Sequence, residues 1–226
     1  MSGRAFFLGA ASNRPTLFKV NLQFLPCLAI SLFLPALTTP PAIPPILARL
    51  RAETRPYHDA VEQNEFNQAL AAGTPSAEAT ARFLAKMYGF LQPYETQLRH
   101  HAAELGPAWE IAERQRAHLI LDDLGLPASA LPLCPAMPAL ATVPQLLGAM
   151  YVVEGSTLGG QVLARQLAKA DIDLRRYFIG YGERTGPRWK VFCHLLADAV
   201  TPDKEDAVVQ SAIHTFQQLA AWLARP

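Results

Sequence analysis

The chain has 226 residues, 50% of them hydrophobic and 17% charged, which is enough apolar material for one domain with a sizeable core. A formal net charge of +1 with no basic run excludes the electrostatic footprint of a nucleic-acid-binding protein. Three scattered cysteines (Cys27, Cys134, Cys193) form no Cys-x-x-Cys pair, which argues against structural zinc and fits free thiols in a reducing compartment.

Residues 1–45 differ from the remainder. They hold no Asp or Glu, carry Arg4, Arg14 and Lys19, and contain an apolar run from Leu22 to Leu37. That run is shorter than the roughly 20 residues a spanning helix needs and is broken by Pro26 and Pro35, so no stable membrane span is expected. With Ala36-Leu-Thr38 behind it, the segment could pass for a poor secretory signal. The preferred alternative is an atypical extension from a start placed too far upstream, outside the working protein. On either reading it is expected to be poorly ordered and to end at the proline-rich stretch closing with Pro45.

Beyond Pro45 the pattern is helical nearly throughout. Ile46, Leu47, Leu50, Val61, Phe66 and Leu70 form a helix stripe, with Pro56 bending it or opening its second half. Thr74-Pro75-Ser76-Ala-Glu78 reads as a cap with Pro75 in the first turn of a second helix, which runs to about Glu104 and buries Phe83, Met87, Phe90, Leu91, Tyr94 and Leu98. A third is expected from about Pro107 to Leu124, ending at Gly125. Ala128 to Pro144 is dotted with prolines and reads as an extended connector. A long helix from about Pro144 to Ala170 follows, then a loop over Arg175–Gly186. The pattern closes with a helix from Pro187 to Val200 and another from the Thr201-Pro202 cap to about Ala224. No segment alternates with period two and no repeat is present, so residues 46–226 are expected to form one all-α domain, by default a monomer.

Two motifs carry chemistry. Gly155-Ser-Thr-Leu-Gly-Gly-Gln161 puts three glycines inside an otherwise good helix former, at roughly 1 kcal/mol each relative to alanine. The compensating gain is close approach of backbone to something flat or bulky, often with a bend; ordinary tight helix packing is the plain alternative. Upstream, His58 is followed one helical turn later by Glu62. By themselves these two make a solvent-facing helical pair as readily as a ligand site. The adjacent His100-His101 point in different directions on a helix and make a poor chelate.

A histidine-bearing helix followed by a Glu-Gly-Ser-Thr-Leu-Gly-Gly-Gln block resembles the heme oxygenases, in particular their bacterial, biliverdin-producing, phytochrome-associated branch, from about Ile46 to the C-terminus. The resemblance implies an all-helical bundle with heme between a proximal helix and a glycine-kinked distal helix. It implies an oxidoreductase that opens heme, cofactor and substrate at once, to biliverdin, with release of iron and CO. O₂ is co-substrate, and electrons come from a ferredoxin or flavoprotein reductase. A bacterial phytochrome is a possible recipient of biliverdin, and the need for cellular reductants implies a cytoplasmic location.

Residue by residue, the resemblance makes His58 the axial iron ligand and Glu62 the carboxylate that fixes its tautomer. Gly155, Gly159 and Gly160 let the distal backbone approach the iron face. Ser156 departs from the family's frequent Asp; it can order water but brings no carboxylate charge. Arg51 and Lys190 match basic positions for the propionates, His194 stands where an Arg is often found, and Arg188 can compensate for it. Tyr151 is an expected pocket wall. Because Ser156 replaces Asp, a non-catalytic heme carrier or sensor of the same fold is the alternative. A thiamin-degrading or di-metal relative would need a nucleophilic cysteine or a carboxylate–histidine cluster, which the scattered Cys and His argue against.

Overall fold

Among the described residues, 43–225 of this computed structural model, every regular element is a helix. The expectation for the N-terminal extension concerns residues 1–42 almost entirely, which lie outside the described residues. Helix α1 (Pro45–Val61) starts with a proline at its first turn, where the missing N–H costs nothing. Pro56 sits inside it without ending it, and the break comes later, where Asn64 caps α2 (Glu65–Ala71) by accepting the Asn67 N–H. Ser76 accepts the Ala79 N–H and starts α3 (Ala77–His100), and α4 (Ala102–Leu105) follows at once.

The expected helix over 107–124 is shorter than its apolar pattern suggested. Two 3₁₀ turns, Pro107–Trp109 and Ile111–Arg114, precede α5 (Ala117–Leu124). The physical reason is Glu110, whose φ of 47° is left-handed and cannot continue a right-handed helix. Gly125, with φ 62°, ends α5 as expected.

After an irregular connector comes α6 (Val143–Lys169), 27 residues long and helical straight through the glycine block. Gln145 accepts the Thr142 N–H at its start. The expected loop contains a short α7 (Arg176–Ile179), whose first N–H groups are held by the Asp123 carboxylate. Helix α8 (Thr185–Ala199) begins two residues before Pro187, and α9 (Glu205–Leu223) closes the chain.

Helix α9 packs against both α1 and α6. Where α6 crosses α9, a Cβ on Gly148 would run into the Val208 carbonyl, so glycine sets how closely the two helices meet. Helix α3 packs on α2, α5 and α9, while α7 and α8 cover the far side of α6. No helix among the described residues is long and apolar enough to cross a membrane.

Candidate active site

A cavity of about 570 Å³ opens between α1, α2, α3, α6 and α9. His58 and Val61 line it from α1 and Glu62 from the position just after it, and Tyr151, Gly155, Ser156 and Gly159 line it from α6. Met87, Phe90 and Leu91 of α3 and Phe216 and Leu219 of α9 give it apolar walls. The two motifs, about a hundred residues apart in sequence, thus face one space.

Helical periodicity explains how α6 serves two purposes. Gly155, Gly159, Val162 and Gln166 recur at one turn and face the cavity. Glu154, Thr157, Gly160 and Ala164 are buried on the other side. A Cβ on Gly160 would come within 2.7 Å of the Phe178 carbonyl oxygen, whereas one on Gly155 would meet Trp189 only at an ordinary 3.5 Å. The expectation that all three glycines bare the backbone to the same face is therefore corrected. Gly155 and Gly159 line the cavity, and Gly160 instead lets α6 lie against the α7 backbone.

The His58 side chain is 21% exposed and stands edge-on to Phe216, ring centroids 5.7 Å apart. Nε2 lies 3.6 Å from Glu62 and Nδ1 3.7 Å from Asp59, both longer than a hydrogen bond. Burial lowers the His58 pKa below its ordinary value, partly offset by Asp59, so the imidazole is held neutral. Burial raises that of Glu62, with a further push from Asp59. His58, Asp59 and Glu62 also form a group whose donor atoms lie within 4.8 Å of one another. Carboxylates as exposed as Asp59 commonly sit so without an ion. Asp59 was missed from the sequence because adjacent residues on a helix do not normally face each other.

The expected charge partners stand elsewhere. Arg51, Lys190 and His194 are exposed, and none of them lines the cavity. The expectation that Arg188 is available there is corrected: it is buried, paired with Glu110 at 2.9 Å and stacked over the Tyr181 ring at 4.5 Å. Tyr151 does line the cavity and packs against Trp189 with centroids 5.6 Å apart.

Sequence reasoning also missed a buried polar cluster behind α6. Glu154 receives Arg114 at 2.7 Å and the Tyr181 hydroxyl at 3.1 Å. Arg114 also donates to the Trp109 carbonyl, and Arg116 to the Val153 carbonyl at 3.2 Å. Glu95 accepts the Arg116 and Ala117 N–H groups, anchoring the start of α5. Burial and the Glu154 charge push the Tyr181 phenol up to about 12. Ser156 donates to the Val153 carbonyl at 2.7 Å, so its hydroxyl oxygen is left as an acceptor at the cavity wall.

No family model matches the chain. The heme oxygenase of Xanthomonas campestris pv. campestris (strain 8004) is 30% identical over 169 residues, which cover 70% of this chain and 99% of that protein. The solved structure of heme oxygenase from Leptospira interrogans matches with a TM-score of 0.66 at 17% identity, over 79% of this chain and 98% of that one. The NO- and CO-bound heme oxygenase from Neisseria meningitidis matches with a TM-score of 0.66 at 25% identity, over 79% and 89% respectively. With an all-helical fold, an imidazole and a glycine face on one cavity, and a relative spanned almost end to end, the chain belongs to the heme oxygenase family.

Proposed function

We propose that this heme oxygenase family enzyme holds heme in the 570 Å³ cavity, with His58 as iron ligand and the Gly155–Gly159 face of α6 opposite it. The observation that carries this reading is that one cavity is lined by both motifs. Its volume falls within the roughly 300–1,000 Å³ of small-molecule sites. The apolar walls suit a macrocycle, and an imidazole kept neutral by burial suits iron ligation.

Heme, when bound, supplies both the iron centre that activates O₂ and the carbon that is oxidised, yielding biliverdin, iron and CO with electrons from an external donor. The chain's own residues ligate, orient and manage protons. Asp59 and Glu62, beside the two ring nitrogens, bias the His58 tautomer and ring orientation. Gly155 and Gly159 keep side chains off the α6 face, so the backbone itself limits the space above the macrocycle. Ser156 holds a proton at Oγ and orders water where relatives often carry Asp. Arg51 and Lys190, exposed on α1 and α8, serve the propionates, with His194 as a further partner. Arg188 is already committed to Glu110.

The electron donor on this reading is a ferredoxin or flavoprotein reductase, which places the protein in the cytoplasm, and a bacterial phytochrome is a fitting recipient of biliverdin. Supplying the hemin complex with ascorbate or reduced ferredoxin and O₂ tests the reading. The Soret band should decay as biliverdin absorption rises. A Soret band that persists through reduction and oxygenation would make the protein a carrier instead.

A further inference from the structure

Next to the main cavity lies a second chamber of about 70 Å³. Ser156, Met87 and Leu163 are walls common to both. The remaining lining includes Arg116, Tyr177 and Phe178. At roughly 30 Å³ per molecule the chamber has room for about two waters.

Its polar lining calls for them. Arg116 is 3% exposed, and its Nε has no hydrogen-bond partner. The Tyr94 hydroxyl, in the same buried cluster, has none either. Leaving such groups bare costs roughly 1–3 kcal/mol each, so folded proteins fill the space with bound water. Tyr177 is buried and lines this chamber together with Ser156 and Arg116, whose guanidinium lies 5.4 Å from the centre of the Tyr177 ring. The Ser156 hydroxyl already donates to the Val153 carbonyl, so its oxygen can accept from the phenol.

We propose that Tyr177, backed by water held against Arg116 in this small chamber, is a positioning residue that relays protons to Ser156 and through it to the main cavity. The proposal rests on the heme oxygenase reading of that cavity. As the Ser156 proton is given up into the cavity, the phenol proton moves to the Ser156 oxygen and chamber water gives a proton to the phenol. That water takes a proton from solvent in its turn, so no hydroxide and no net charge stay behind. The charged and titratable groups facing Tyr177 are Arg116, ahead of α5, and Glu95 of α3. Tyr181 and Glu154 complete the surroundings of Arg116. Burial pushes the Tyr177 phenol up and keeps it protonated, ready to donate, while the Arg116 charge beside it partly offsets that cost as the proton passes on. This arrangement would also account for how the site dispenses with the family's frequent Asp.

Two measurements decide it. A high-resolution crystal structure of the heme-free protein should show ordered water against Arg116 Nε; a dry chamber would overturn the proposal whatever the variants do. In the hemin complex, Tyr177→Phe, Ser156→Ala and the double variant are compared by the acid–alkaline midpoint of the Soret band and by hydrogen peroxide released per biliverdin formed. Each single change should move the midpoint by about half a pH unit, roughly threefold in proton affinity, and raise peroxide release. The double variant should go no further than the larger single, because the two residues act in series. If Tyr177→Phe keeps both values of the unsubstituted protein while Ser156→Ala changes them, the relay does not run through Tyr177. Failure of the unsubstituted protein to bind hemin would end the heme oxygenase reading itself, and the relay with it.

Discussion

Gly155 and Gly160 stand five positions apart in one helix, yet alanine should act on them with opposite sign. At Gly160 the new Cβ would lie 2.7 Å from the Phe178 carbonyl oxygen, a backbone atom that cannot rotate away. Overpacking of this kind costs about 2–3 kcal/mol, and the gain in helix propensity returns about 1 kcal/mol, leaving a net loss of about 1–2 kcal/mol. At Gly155 the Cβ would rest 3.5 Å from the Trp189 ring, an ordinary contact. Only the propensity gain remains there, about 0.5–1 kcal/mol of added stability. For a domain of this size each kcal/mol moves the melting temperature by roughly 2–4 °C. Thermal unfolding of the heme-free proteins followed by far-UV circular dichroism should therefore show Gly160→Ala melting below the unsubstituted protein and Gly155→Ala at or above it. A Gly160→Ala protein that melts higher would refute the assignment of that glycine to close packing.

Glu154→Gln removes the carboxylate from a pair with Arg114 whose side chains are 1% and 2% exposed. Stranding a buried guanidinium costs about 3–5 kcal/mol, so the urea midpoint should fall steeply, whereas a surface pair such as Arg82–Glu78 should be removable at well under 1 kcal/mol. The pH dependence of stability follows from His58. Its folded pKa lies below the ordinary 6.5, so the unfolded chain binds the proton first. His58 therefore contributes stability that is intact above pH 6.5 and lost as pH falls from there through the folded pKa. Glu62, raised above its ordinary 4.5, works in the opposite direction: its contribution is intact below pH 4.5 and lost as pH rises through its folded pKa. In urea titrations, His58→Gln should flatten the decline just below pH 6.5, and an unchanged profile would place the loss elsewhere.

Local signals were readable wherever a helix carried its own apolar stripe and cap. Gly125 ends α5 where cap chemistry placed it, whereas two starts fall later than expected: Ser76 is the cap of α3, so Pro75 precedes the helix instead of opening it, and Thr201-Pro202 opens a 3₁₀ turn with α9 beginning only at Glu205. The stretch 107–124 misled because its apolar spacing suits a helix, while the left-handed Glu110 that breaks it has no signature in a single sequence. The break between α1 and α2 falls at Glu62–Asn64 rather than at Pro56, because a proline inside a helix removes one hydrogen bond without obliging the chain to turn. The glycine block was legible as a place of close backbone approach but not as two faces; only the packing of α7 on α6 separates Gly160 from its neighbours. The buried cluster was invisible, since Arg114 and Glu154 are 40 residues apart and each alone reads as a surface charge. Lying on neither helix that carries a motif, Phe216 of α9 reaches His58 purely through tertiary packing.

The most direct measurement is the ferric spectrum of hemin added to His58→Ala, recorded with and without imidazole beside the unsubstituted protein. Its cavity should still admit hemin, yet lose the histidine-ligated spectrum and regain it when free imidazole fills the vacated space. An unaltered spectrum in the variant would mean that iron is held elsewhere, and the pairing of His58 with the glycine face across one cavity would no longer explain the protein.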